Sequence, residues 1–465
     1  MKIADYPRPH NDSGIGFRYF PDADHTGRAD LERWVPRLQS LGASWLVLQT
    51  PPTRPLPDFF LQQVMLADIE TVIMLTPERV GPLELGALRG TAGALADSGV
   101  HYVALFDRPN CRESWLPQEW AKPDLVERFV DYLAPALEVV AAEGLTPVLP
   151  PLEPFGAYWD TVFLHALLSS LRRRGLGALL ARAAVGMRNF ANGRPLDWGA
   201  GGRDAWPQAR PYTNPQNGEG QDHRGFRLFE WYQAIIEQEL GHPLPLICCA
   251  NGPQSSPTAR EAGSQEASLH AGRAAEMARM MMAGELPSTV LNHAFWLLAA
   301  ERDHVCYQDS WFDADGVARL PAVEALEKLV KQARPVGKSQ TRPERSPRIA
   351  NHSAQIPNNK PIDHYLLLPV FEWGTSRWHL SIVQEYIETF LPTCGFSAEE
   401  AILARRVTIV GNEQGVGAET AARLAAAGCQ VERIAGRNGH ETLQLLQKLA
   451  RNKQHKQREA EKQVR

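Results

Sequence analysis

No apolar run in this chain approaches the roughly 18 residues that a membrane-spanning helix needs. The first residues, MKIADYPRPHNDSGIGF, also lack the apolar stretch of a secretory signal, which sets the expectation of a cytoplasmic protein. Cysteine is sparse. Six thiols (Cys111, Cys248, Cys249, Cys306, Cys394 and Cys429) are spread over 465 residues with no CxxC or Cys/His ligand spacing. Neither a disulfide framework nor a structural metal site is expected, and the adjacent pair Cys248–Cys249, inside an apolar run, reads as core. Strong charge of either sign is missing too. A net charge of −4 provides no basic field for nucleic acid.

What is present is alternation. Short apolar or β-branched runs near 14–19, 44–49, 70–75, 101–106, 145–149, 182–190, 244–249 and 290–297 are separated by longer amphipathic stretches such as 30–41, 123–143, 158–174, 225–240 and 265–283. That pattern marks βα units and a parallel sheet. Eight strands within about 300 residues fit a closed (β/α)8 TIM barrel of the α/β class better than an open sheet. An open doubly wound sheet would carry a glycine-rich phosphate loop after its first strand. The turn there reads FPDADHTGRAD and has none. Asp30 is expected to cap the first barrel helix, with Trp34 and Leu38 on its buried face.

The barrel is expected over residues 1–335. A Pro-, Ser- and Asn-rich linker follows over 336–362, then a small α/β domain over 363–450 and a charged tail over 451–465. The small domain contains VTIVGNEQGVGAETAARL, with Gly411, Gly415 and Gly417 around a turn. A dinucleotide site there would need a longer fold than about 90 residues allow. Gly411 and Gly415 are instead assigned to tight turns and Gly417 to close helix packing. No cofactor and no metal are expected, and oligomeric state is left open.

In a barrel, chemistry collects where the βα loops gather, at the C-terminal strand ends. Those ends carry many aromatic and polar residues: Asp107, Arg108, Asn110 and Trp115 after strand 4; Glu153, Tyr158, Trp159 and Asp160 after strand 5; Asn192 and Trp198 after strand 6; Asn251 after strand 7; and Trp296, then Glu301, after strand 8. Sugars offer apolar C–H faces rimmed by hydroxyls, so Asn110, Trp115, Tyr158, Trp159, Asn192, Trp198, Asn251 and Trp296 form the expected carbohydrate-binding set. Asp222 and His223, in the long loop 190–231, are placed either in the site or as caps of the following helix.

The strand LGASWLVLQ, the strand-4 end FDRPN with Trp115 and Trp120, the loop ANGRPLDWG and Trp296 together resemble clan A glycoside hydrolases, specifically cellulase- and xylosidase-like barrels. The resemblance covers roughly residues 14–330. It implies an acid/base glutamate in an Asn-Glu-Pro-type motif after strand 4 and a nucleophilic glutamate ending strand 7, ~5–5.5 Å apart for retention. Arg108 stands at the first position and Ala250 at the second, and no Asp or Glu occurs between Gly241 and Arg260. A guanidinium cannot serve as a general acid. Three readings follow: a carbohydrate-binding pseudo-glycosidase; an active O-glycosyl hydrolase using a rearranged pair drawn from Glu153, Asp107, Asp160 and Glu301, with Glu153 the leading acid; and a scaffold that binds another protein.

Overall fold

The computed structural model describes residues 2–154, 156–209, 220–253, 264–333, 360, 362–369, 377–413, 415–436 and 441–452. Eight parallel strands close into a barrel in chain order: β1 (Ile15–Arg18), β2 (Trp45–Thr50), β3 (Glu70–Leu75), β4 (Tyr102–Leu105), β5 (Thr146–Leu149), β6 (Ala184–Arg188), β7 (Leu246–Asn251) and β8 (Val290–Phe295). β1 closes on β8 through Ile15 opposite His293 and Phe17 opposite Phe295. Each of the eight sequence runs contains its strand, apart from one residue at the end of β2 and two at the end of β7. Nearly every strand residue is buried, because the barrel interior covers one face and the helical ring covers the other. Among the described residues no helix is long and apolar enough to cross a membrane.

Side-chain parity divides each strand into an outer and an inner set. Outward residues such as Ile15, Phe17, Leu46 and Leu48 pack with the helices. Inward residues build a polarity gradient along the barrel axis. The bottom is closed by Tyr6, Trp45 and Tyr102. The Tyr6 hydroxyl donates to Ala183 O at 3.0 Å, Tyr102 to Pro7 O at 2.6 Å, and Trp45 Nε1 to Asp12 Oδ1 at 2.9 Å. The middle is apolar, with Val47, Val72, Met74, Ala104, Val148 and Ile247. The top is charged and holds the inward-facing Arg18 and Arg188.

The helices match their expected stretches closely, for instance Leu125–Ala142, Asp160–Arg173 and Gln265–Met282. The first begins earlier than expected, at Arg28, so Asp30 is not its N-cap. Gly27 takes that position, and Asp30 reaches back from the third helical residue to accept the Gly27 N–H at 2.9 Å. Trp34 and Leu38 are buried as expected.

The C-terminal sheet is parallel and four-stranded: Thr393–Gly395, Ile362–Leu367, Ala404–Val410 and Gln430–Ile434, in that spatial order. Its first edge strand was not anticipated; three residues are too few to show alternation. The helix that follows this edge strand is only Ala398–Ala401, because Ala404 already starts the next strand. Gly411 has φ +93° and Gly415 N–H bonds Asn412 O, so both occupy turns. Gly417 differs from expectation: nothing lies within 4 Å of the position a Cβ would take, so no close packing demands glycine there. Of the stretch read as linker, 336–359 and 361 lie outside the described residues, as does the tail from 453. Lys360 and Ile362 belong to the sheet unit, Lys360 Nζ donating to Ile402 O and Ala404 O. Val162 of the barrel packs with Ile362, Tyr365 and Ala401, so the two units share apolar contacts.

His293, on β8, sits among Phe226 and Phe295 with neither ring nitrogen hydrogen-bonded. Burial lowers its pKa to about 3. Below its unfolded pKa of about 6.5, the unfolded chain takes up a proton that the folded chain refuses. The folded state therefore loses about 1.4 kcal/mol per pH unit as pH falls from 6.5 toward 3. Denaturant titrations should show His293→Leu gaining about 2 kcal/mol relative to the parent between pH 6.5 and 5. A pH-independent difference would contradict this.

Candidate functional site

The mouth of the barrel is a lattice of three arginines and two carboxylates. Arg18 ends β1, Arg188 ends β6, Asp107 and Arg108 follow β4, and Glu153 follows β5. Arg108 Nε lies 3.2 Å from Asp107 Oδ2, and its Nη1 is 4.0 Å from Glu153 Oε2. Arg188 Nε donates to Glu153 Oε2 at 3.1 Å. Arg18, only 2% exposed, directs Nη1 at Met74 Sδ and Nη2 at Gln49 Oε1. Trp296 lies beside this lattice, with Arg188 Cζ 5.5 Å and Arg18 Cζ 5.9 Å from its ring centroid. Phe190 lies 5.5 Å from Arg188. The Trp296–Leu297 peptide is cis.

The charges settle one chemical question. Burial alone would raise the Asp107 carboxyl, but Arg188, Arg108 and Arg18 outweigh it and hold the group below the usual carboxylate range. Asp107 is thus ionised at neutral pH and has no proton to donate. The thiols nearby are equally inert: burial pushes Cys248 up to about 11 and Cys249 to about 12, leaving no thiolate nucleophile. β7 ends in Ala250–Asn251, both fully buried. Among the described residues no group of three His, Cys, Asp or Glu side chains is arranged to hold a metal.

The sequence-predicted residues separate. Asp107, Arg108, Glu153 and Trp296 come together at the mouth. Asn110 does not face it: fully buried, it donates from Nδ2 to Glu153 O (2.8 Å) and Tyr158 O (3.0 Å) and accepts Glu153 N–H at 2.9 Å. It therefore ties the β4 loop to the β5 loop and positions Glu153. Trp115 is 2% exposed, donates to Pro109 O at 2.7 Å and packs on Phe129. Tyr158 is buried against Phe163. Asn251 Nδ2 points to Cys248 Sγ at 3.1 Å. Asn192, at φ +52°, bonds Phe190 O within its own loop. Trp198 donates to Asp222 Oδ1 at 3.0 Å.

Asp222 is the hub of the long loop after β6. Besides Trp198 it accepts from Arg194 (2.8 Å), from the Arg224 N–H (3.0 Å) and from Arg224 Nε (2.7 Å). Burial would raise its carboxyl, yet the Arg224 and Trp198 hydrogen bonds keep it low. The next helix starts only at Leu228, with Arg227 as its N-cap, so Asp222 is neither a helix cap nor an exposed ligand group.

Two alternative carboxylates are also placed. Asp160 is fully buried at a helix start, accepting from His223 Nε2 (2.7 Å) and the Tyr232 hydroxyl (2.9 Å). Glu301 sits half exposed on the rim, 3.2 Å from His25, which also meets Asp22 at 2.9 Å. Of the four candidate carboxylates, Asp107 and Glu153 are the two that meet at the mouth, both beside Arg108. A cleft lies elsewhere, between the barrel and the C-terminal sheet, where Trp159, His165, Trp231, Ile235, Ile362 and Leu403 line it. Trp159 thus faces that cleft rather than the arginine lattice.

Sequence reasoning missed Arg18 and Arg188 because both end strands read as apolar. The signal was available: β1 and β6 each end in Gly-x-Arg (Gly16-Phe17-Arg18 and Gly186-Met187-Arg188), and a charge at the last inward position of a barrel strand belongs to the mouth.

These features define an α/β protein of the (β/α)8 class with a charged, aromatic-lined mouth. No family model and no curated protein sequence matches the chain. Among solved structures it is similar to a family 39 glycoside hydrolase from Bacteroides cellulosilyticus WH2 (11% identity, TM-score 0.46, covering 70% of this chain and 65% of that one). It is also similar to a glucosidase from Croceicoccus marinus (12%, TM-score 0.47, 70% and 68% covered). A third is a GH128 endo-β-1,3-glucanase from Sorangium cellulosum (14%, TM-score 0.39, 68% and 98% covered). The chain spans less than two thirds of the first of these. The assignment of the barrel rests on its own strand pairing.

Proposed function

We propose that the barrel binds a saccharide at its mouth and does not hydrolyse glycosidic bonds. The observation that carries this is the arginine lattice: each mouth carboxylate is paired with a guanidinium, and β7 supplies no third. Double displacement needs one protonated carboxyl and one free carboxylate facing each other across the bond. Asp107 is held ionised, Glu153 is engaged by Arg188, and Arg108 can donate hydrogen bonds but not a proton.

Binding is supported by what remains open. Trp296 and Phe190 are partly exposed aromatic residues beside the charges. Arg18 Nε and Asp107 Oδ1 are a buried donor and a buried acceptor without partners among the described residues. Aromatic surface with a few fixed polar groups is the usual make-up of a small-ligand site.

The test is a panel of oligosaccharides, neutral and acidic, with nitrophenyl glycosides, read for both thermal shift and turnover. A shift of several degrees without released sugar or nitrophenol is expected. Turnover abolished by Glu153→Gln or Asp107→Asn would establish an active hydrolase instead. No shift with any saccharide, together with a stable protein partner, would establish a scaffold.

A further inference from the structure

We infer that the saccharide carries an anionic substituent, a carboxylate or a sulfate ester, and that Arg18 is the group that selects it. This rests on the saccharide-binding reading above and narrows it.

Asp107 is in contact with Arg108 at 3.2 Å and Glu153 with Arg188 at 3.1 Å, which neutralises two of the three guanidinium groups. Arg18 is left over. Arg18 is 2% exposed and has no carboxylate in contact among the described residues; its main counter-charge, Asp107, is shared with Arg188 and Arg108. Its hydrogen-bond partners, a thioether sulfur and an amide oxygen, are neutral, and its Nε has none among the described residues. Taking a guanidinium out of water without a contact counter-ion is among the more expensive things a core can contain, and apolar replacement of such a group is often neutral or stabilising. Asp107 offsets part of that penalty at Arg18, but three guanidinium groups against the two carboxylates of the lattice leave one positive charge without a counter-charge. An anion delivered by the ligand would supply one.

Position favours a sugar-borne anion over a free one. Arg18 and Arg188 both lie within 6 Å of the Trp296 ring centroid, so a pyranose resting on Trp296 stands next to both guanidinium groups. Trp296 Nε1 is itself directed at Asp309 Oδ2, at 3.5 Å. Arg188 is held by Glu153, and Arg108 is the more exposed of the three, at 43% for its side chain. Arginine forks suit both carboxylate and sulfate, and such charge-assisted hydrogen bonds are about twice as strong as neutral ones.

The experiment compares four probes by calorimetry on the full chain: a neutral disaccharide, its uronate counterpart, its sulfated counterpart, and inorganic sulfate or acetate alone. The expected result is that one of the two acidic sugars binds at least about tenfold more tightly than the neutral one, with the free anions weaker than either. Whichever acidic sugar wins identifies the substituent. Arg18→Met should bring the acidic-to-neutral ratio close to one, and the partly exposed Arg108→Gln, which tests the same field if Arg18→Met fails to fold, should reduce it. Equal binding of neutral and acidic sugars overturns this inference while leaving saccharide binding intact. Inorganic sulfate binding as tightly as the sulfated sugar also overturns it. If no saccharide binds at all, the underlying reading has failed as well.

Discussion

Asp160→Ala is expected to remove about 3–5 kcal/mol of folding stability, the range for breaking a buried charged contact from one side. Asp160 is fully buried, and its two oxygens accept from His223 Nε2 at 2.7 Å and from the Tyr232 hydroxyl at 2.9 Å. Truncation strands both donors in a site that water does not reach, and each stranded donor costs about 1–3 kcal/mol. The carboxylate also loses its place in the first turn of Asp160–Arg173, where the helix dipole favours negative charge. His223 adjoins Asp222, the hub of the β6 loop, so the loss should propagate to the wall of the mouth. Denaturant unfolding checks the magnitude. Asp160→Asn should fall about midway, since its single carbonyl oxygen still accepts one bond. A change below about 1 kcal/mol for the alanine variant would mean the contact is not formed as described.

Trp296→Ala is expected to weaken saccharide binding by about thirtyfold, corresponding to roughly 2 kcal/mol for truncating a central aromatic anchor. Trp296 is the aromatic residue whose ring centroid lies within 6 Å of two of the three mouth arginines. Some folding stability should also go, because each cation–π contact contributes about 0.5–2 kcal/mol. Binding measured well below the melting transition separates the two effects. Trp115→Phe is the contrast. Trp115 packs in the scaffold and donates to Pro109 O, so its replacement should reduce stability and leave affinity nearly unchanged. Equal loss of affinity in both variants would contradict the placement of the site.

The barrel was legible in the sequence because its eight strands are covered on both faces and read as short apolar runs, and the helices between them carry one apolar stripe. The site was legible only in part. Asp107, Arg108, Glu153 and Trp296 were found because they sit just past strand ends. Asn110 and Trp115 share that location in sequence but fold inward, since the β4 loop closes on the β5 loop through Asn110 and on the helix Leu125–Ala142 through Trp115. Loop position alone does not distinguish a ligand group from a loop pin. Arg18 and Arg188 were overlooked for the opposite reason: they belong to strands, where attention goes to the apolar majority, and only counting inward positions up to the mouth reveals them.

The central claim is that guanidinium groups hold both mouth carboxylates and leave the barrel able to bind sugar without cleaving it. Its most direct test is a calorimetric titration with the tightest-binding oligosaccharide, followed by chromatography of the sugar recovered from the cell after prolonged incubation. Saturable heat with the oligosaccharide recovered at its original length is the predicted result. Shortened sugar, at a rate that Glu153→Gln abolishes, would contradict it.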